Sequence, residues 1–177
     1  MLKMFTTQLM GIFKKIADKE EFSFEDGARL LAQAPAGDGS IYIWGAQEMR
    51  AVEYEALEGA ETLRSAKVLQ LDADLNSLTD ADRVLLFSRF SNDRAALELA
   101  HMLREKMIPF VAVSTVTEPS DEDVSQFADV HIDLRLTKGL LPDEVGNRYG
   151  YPAGMAALFV YHGLKFTIDE ILAEYEE

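Results

Sequence analysis

The run Val84-Leu-Leu-Phe87 leaves no face of an extended ribbon for water, because strand side chains alternate between two sides and every one here is apolar. Ser40-Ile-Tyr-Ile-Trp44, closed by Gly45, has the same two-faced character. Val68-Leu-Gln-Leu71 and Ile108 to Val113 are further strand candidates, and Val130-His-Ile-Asp-Leu134 is a weaker, alternating one. Strands covered on both faces belong to sheets sandwiched between helices. Helix-forming stretches lie where such a sheet needs them: Gln47 to Ala56, about Asp93 to Lys106, and a short one in "PSDEDVSQFA", which begins at Pro119. The pattern predicts an α/β chain of the doubly wound class, a five-stranded parallel sheet in three layers with helices on both faces.

The flanks read as helical. Leu2, Phe5, Leu9, Ile12, Phe13 and Ile16 recur at helical spacing and predict an amphipathic helix over Met1 to Asp18. The opening residues do not read as a signal peptide, since Thr6-Thr7-Gln8 interrupts the apolar run and no small-residue cleavage pattern follows. Ser23 is expected to cap a second helix, with Asp26 completing an approximate capping box, and "APAGDG", Ala34 to Gly39, to end it. Thr137 to Gly154 is irregular and rich in Gly and Pro, and Met155 to Leu164 and Ile168 to Tyr175 read as two terminal helices. One domain over 1–177 is expected: N-terminal helices 1–34, a parallel α/β core 40–134, and a long loop with C-terminal helices 137–177.

Lys and Arg total 17 against 31 Asp and Glu, a formal charge of -14. A chain with that field does not hold a polyanion across a broad surface, so nucleic acid is not an expected partner. A small anion remains compatible, because distant charges are screened beyond about 10 Å in moderate salt. The absence of cysteine excludes disulfides, thiolate nucleophiles, iron–sulfur clusters and sulfur-ligated zinc, and fits a cytoplasmic setting. No run reaches the roughly 20 apolar residues of a membrane span, and no membrane partner is expected.

Ligands of open parallel sheets sit beyond the carboxyl ends of the strands, near the reversal of strand order. Polar residues gather at those ends here: Gly45, Gln47 and Glu48 after the first strand; Ser88, Arg89, Ser91, Asn92 and Asp93 after the third; Ser114 and Thr115 after the fourth; and Arg148 in the long loop. Ser88 and Ser91 carry hydroxyl donors, and the N–H groups around Asn92 to Ala95 open a helix whose dipole favours an anion. Two readings stand side by side. Either a phosphate takes those donors, or Ser91, Asn92 or Asp93 satisfies them as an ordinary helix cap. Arg148 is expected to close over a phosphate or a sugar hydroxyl with its planar fork of donors, or to belong to a turn-prone surface loop.

The stretch "LLFSRFSNDRAALELAHMLREKMIPFVAVST" resembles the phosphosugar-binding unit of SIS domains, the sugar-isomerase fold: a strand, Ser-x-Ser-Gly-Asn/x-Ser/Thr, a helix, and a strand ending in Thr. Ser88 falls at the first serine, Asn92 at the Asn position, and Ser114-Thr115 after the next strand. "IYIWGAQEM" falls where those domains carry a Gly-Asn-Gly-Gly-Ser loop. The order of elements resembles an SIS domain over nearly the whole chain, and is most similar to an uncharacterised SIS-like family of Bacillus-type bacteria related to phosphoheptose isomerases. The resemblance implies a flavodoxin-like sheet, a phosphorylated sugar or similar small anion as ligand, no cofactor, and a homo-oligomer, dimer or tetramer. Phe90, Ser91 and Asp93 depart from the motif, as do Glu48 and Met49 in the first loop. Asp93 brings a carboxylate to the phosphate position, to be compensated by Arg89 or Arg94 or to act as a resident anion.

Aldose–ketose isomerisation moves a proton between neighbouring carbons and needs an acid and a base. Phosphoheptose isomerases resemble this chain in carrying a histidine where His162 lies and a glutamate near Glu58, which makes Glu58 and His162 the candidate catalytic pair; Gly154 stands where they carry a glutamine. The plainer alternative makes Glu48, Glu53, Glu55 and Glu58 a solvated helix face and His162 a packed histidine. His101 and His131 lack further ligands at metal-binding spacing, so no metal site is expected. Three functions follow: a phosphosugar-binding module, noncatalytic or regulatory; a sugar-phosphate isomerase of the phosphoheptose type; and a nucleotide-binding or signalling domain. The last lacks Gly-x-Gly-x-x-Gly and Gly-Lys-Ser/Thr.

Overall fold

Val84 and Leu86 pack on one side of a sheet and Leu85 and Phe87 on the other, all four fully buried. The structure, a computed structural model, describes residues 1–118 and 122–176. Its five strands run parallel: β1 (Ile41–Gly45), β2 (Ala66–Val68), β3 (Arg83–Phe90), β4 (Phe110–Thr115) and β5 (Val130–Asp133), in the order β2-β1-β3-β4-β5. The chain first adds a strand to the left of β1 and then crosses to its right. The order therefore reverses between β1 and β3, and the crevice beyond their carboxyl ends is the natural ligand position.

Helices cover both faces, as the two-faced strands require. On one side, α1 (Leu2–Lys19), α2 (Glu21–Ala36), α3 (Ala51–Glu58) and α7 (Ala153–Tyr175) enclose Ile41, Ile43, Leu85, Phe87, Val111, Val113 and Ile132. On the other, α4 (Leu71–Asp74), α5 (Arg94–Glu105) and α6 (Val124–Phe127) cover Tyr42, Val84, Leu86, Phe110 and Ala112. Each fully buried Val, Leu, Ile or Phe among them contributes about 1.5–3 kcal/mol, so the sandwich holds the strand ends in place. Gly163 permits the tight α2–α7 contact, since a Cβ there would stand 2.6 Å from a ring carbon of Phe24. No helix of the described residues is long and apolar enough to cross a membrane.

Several local expectations need correction. Ser23 lies inside α2 and caps nothing: α1 and α2 abut at Glu20, a buried carboxylate that accepts a 2.5 Å bond from Arg135. α2 also continues through Pro35 to Ala36 instead of stopping at "APAGDG". β2 lies two residues upstream of Val68–Leu71, because Gln70 donates its N–H to Asp74 Oδ2 at 2.8 Å and the chain turns there into α4. The two C-terminal helices are one. Lys165, at the break that the sequence suggests, is buried but held by Asp169 one turn on and by Glu61 at 3.3 Å. Of the stretch read as a short helix before β5, Pro119, Ser120 and Asp121 lie outside the described residues, and α6 occupies only Val124–Phe127. The long loop contains a small hairpin, β6 (Leu141–Pro142) against β7 (Arg148–Tyr149).

Candidate functional site

β3 does not stop at Phe87. Its pairing with β4 slips between Phe87, opposite Val113, and Phe90, opposite Thr115, so three steps on β3 match two on β4. The extra residue is a bulge at Ser88 and Arg89, a device that re-aims side chains at sheet ends. Ser88, fully buried, donates its hydroxyl to the Phe90 carbonyl at 2.8 Å and stabilises the bulge. Arg89 is thereby turned across the reversal point toward the loop after β1, where it makes two parallel bonds of 2.7 and 2.8 Å to Glu48. Bonding to Arg89 holds the Glu48 carboxyl below its usual range, against a smaller opposing effect of burial, and the same partner raises the guanidinium's pKa.

The loop after β1 is shaped by its backbone. Gly45 ends the strand and donates its N–H to Glu53 Oε1 at 2.9 Å, while Gln47, with a φ of 54°, begins a 3-10 turn, Gln47–Arg50, that carries Glu48. Glu53 is therefore not part of a solvated face. It is only 5 % exposed, and Arg50 approaches its other oxygen at 3.4 Å. Gln47 itself is exposed.

At the start of α5 Asp93 acts as the helix cap, its Oδ1 accepting the Ala96 N–H at 2.9 Å. Asn92 is exposed beside it. Ser91 is not a free hydroxyl either. Its N–H donates to the Thr115 carbonyl (2.9 Å), its carbonyl accepts from Val124 N–H (2.9 Å), and its hydroxyl donates to Asp123 at 2.5 Å while accepting from Thr117 N–H at 3.3 Å. This one buried residue clips the loop after β3 to the loop after β4. Thr115 accepts the Leu136 N–H on its hydroxyl at 3.1 Å, and Ser114 Oγ lies 2.7 Å from His131 Nε2. Burial lowers the His131 pKa, with Asp133 and Asp123 opposing, so the ring favours its neutral form.

A cleft of about 690 Å³ opens beyond β3, β4 and β5, walled by Phe90 and Thr115 and edged by Glu118, Asp123 and Asp133. On the far side of Phe90 a second cavity of about 340 Å³ is bounded by Glu48, Arg89 and Tyr151. Tyr151, Asp123 and Asp133 line these cavities and are not candidates from the sequence. The loop-to-strand bonds that place them join positions far apart in the chain.

Asp123 makes a pH prediction. Burial pushes its carboxyl up, but bonds from Ser125 and Ser91 outweigh that and leave it below the usual range. A depressed carboxyl stabilises the fold above the unfolded value, about 4, and loses that contribution as pH falls through the lower folded value. Asp123→Asn is expected to cost about 1.5 kcal/mol at pH 7. Urea unfolding at stepped pH should show that gap closing below about pH 4; a gap independent of pH refutes the assignment.

The candidate catalytic pair is not assembled. Glu58 is the exposed last residue of α3, while the carboxylate nearest His162 is Glu55, at 3.9 Å from Nε2. His162 Nδ1 bonds the Leu158 carbonyl at 2.8 Å, and the ring packs against Tyr161 and Phe166. Eight residues separate it from Gly154, which lies beside the Glu48 carbonyl, and that distance along a helix is roughly 12 Å. Arg148 is also directed elsewhere, donating to the carbonyls of Gly139 and Leu140 at 3.0 Å and tying down its own loop.

Comparison with known proteins agrees with this architecture. The "Uncharacterized protein YwjG" of Bacillus subtilis (strain 168) is 49% identical over 175 residues, 99% of either chain. Among solved structures, E. coli CFT073 c3406, in complex with a sugar phosphate, superposes with a TM-score of 0.73 at 13% identity, over 97% of this chain and 89% of that one. Phosphoheptose isomerase GmhA from Neisseria gonorrhoeae gives 0.64 at 13% identity, over 96% and 100%. The sheet order and its helical layers are thus those of a phosphosugar-isomerase fold. Residues 1–172 match the family described as "Domain of unknown function (DUF2529)", and the chain belongs to that family.

Proposed function

We propose that this protein binds a phosphorylated sugar or a similar small anion, as a noncatalytic or regulatory SIS-like domain spanning the whole chain. The observation that carries the reading is Arg89, which the β3 bulge turns across the strand-order reversal as a planar donor fork suited to a phosphate. The sugar end is assigned to the neighbouring cleft, where Glu118, Asp123 and Asp133 offer acceptors to hydroxyl groups and Phe90 a ring face. The similar solved structures, one in complex with a sugar phosphate and one a phosphoheptose isomerase, support the same ligand class. We further assign the family to SIS-like proteins of Bacillus-type bacteria and the chain to the cytoplasm. Its copies pair through exposed Leu2, Met4 and Met10 of α1 and Met155 and Phe166 of α7.

Thermal denaturation against a panel of sugar phosphates tests the reading. A ligand at one hundred times its Kd adds about 2.7 kcal/mol, which in a domain of this size raises Tm by roughly 5–10 °C. No shift with any sugar phosphate, when nucleotides do shift it, transfers the assignment to the nucleotide-binding class. The isomerase reading is favoured by one observation, the 3.9 Å approach of Glu55 to His162. Turnover of sedoheptulose 7-phosphate that falls with His162→Ala would establish it, with Glu55 in place of Glu58.

A further inference from the structure

We infer that Glu48 is a built-in occupant of the anion seat at Arg89, a gate that an incoming phosphate has to displace. The inference rests on the phosphosugar reading and gives that site its regulation. Two parallel bonds from one guanidinium, at 2.7 and 2.8 Å, are the arrangement in which arginine takes a phosphate as readily as a carboxylate. Here a carboxylate of the chain itself holds it.

The position of the pair matters as much as its geometry. It joins the 3-10 turn after β1 to the bulge of β3, and so spans the crevice where the strand order reverses. A ligand that takes the Arg89 fork has to replace both of its bonds to Glu48. The turn is fixed independently of Arg89, by the buried bond from Gly45 N–H to Glu53 and by the left-handed φ of Gln47, so the fold delivers Glu48 to this place.

The contact is also built to open. The Arg89 and Glu48 side chains are 40% and 36% exposed, and pairs of that exposure are held weakly enough for a competing anion to separate them. The adjoining cavity of about 340 Å³, bounded by Phe90 and Tyr151 on its other sides, gives the released carboxylate somewhere to swing. Asp93, the other carboxylate whose charge acts on Arg89, is committed to capping α5 and stays in place. With Glu48 seated, the charge of the guanidinium is met by the carboxylate bonded to it, and Asp93 acts on it as well. With Glu48 displaced, the fork is free to bond a phosphate.

Calorimetric titration of the full chain and of Glu48→Gln tests the gate. The probes are fructose 6-phosphate, sedoheptulose 7-phosphate, arabinose 5-phosphate, inorganic phosphate and unphosphorylated fructose, with circular dichroism confirming that each protein is folded. Glu48→Gln is expected to bind the phosphorylated probes on the order of fivefold more tightly than the unaltered chain, the factor that loss of an exposed competing ion pair implies. Fructose should gain nothing, and the double variant Glu48→Gln, Arg89→Ala should lose the gain. If the unaltered chain binds a sugar phosphate and Glu48→Gln binds it equally or less well, or if fructose gains as much, the gate is overturned and the phosphosugar reading stands. If no phosphorylated probe binds either folded protein, both are overturned.

Discussion

Gly45→Val is expected to destabilise the protein by about 3–5 kcal/mol, the sum of an overpacked backbone contact and a lost buried bond to a carboxylate. A Cβ at this position would stand 2.5 Å from the Met49 carbonyl oxygen, 2.6 Å from its carbon and 2.7 Å from the Arg50 nitrogen. All three are main-chain atoms, so no flexible side chain can yield. The 3-10 turn would have to lift away from β1, taking with it the Gly45 N–H bond to Glu53 and the Ala46 N–H bond to Phe87, both 2.9 Å. Gly45→Ala meets the same three atoms and should lose most of the same stability. Urea unfolding of both variants is the measurement, and a loss below about 1 kcal/mol in each would show that the turn relaxes freely. Gly45, a binding candidate by its place at the end of the first strand, thus has a structural role: the glycine lets the chain approach itself.

Arg89→Ala, made in the Glu48→Gln background where the seat is open, is expected to weaken sugar-phosphate binding about thirtyfold, corresponding to about 2 kcal/mol for a charge-assisted contact. Arg89→Lys should fall between, since an ammonium keeps the charge but not the planar fork. Stability in water should change little, because an exposed ion pair contributes at most about 1 kcal/mol. Titration calorimetry beside a denaturation curve separates the two effects. Equal affinity in the presence and absence of the guanidinium would move the phosphate elsewhere, the start of α5 being next in line.

The strands are legible in the sequence because Val84 to Phe87 offers no polar face, a property that only a sheet covered twice can satisfy. The polar junction after them is legible as a place but not as an arrangement. Nothing local distinguishes Ser88 and Arg89 as a bulge, since the slip is defined by what lies opposite them on β4. Glu48 and Arg89 are 41 residues apart, and a sequence with 31 acidic residues gives no reason to join those two. Glu53 reads as part of a charged surface because three other glutamates lie close to it in sequence, yet its carboxylate faces inward to a backbone N–H. The continuous α7 is hidden by Lys165, a poor candidate for burial until Asp169 and Glu61 supply its partners. In each case local composition is informative and long-range pairing decides the role.

The clip formed by Ser91 has a kinetic consequence. Its amide, its carbonyl and its hydroxyl are committed to the loop after β4 and to the start of α6, so displacing the Ser91 loop breaks bonds to both segments at once. The floor beneath the carboxyl ends of β3 and β4 is therefore expected to open as one cooperative unit when the Ser91 loop moves. Hydrogen exchange at the amides of Ser91, Thr117 and Val124, all bonded in this clip, is expected to proceed at similar rates.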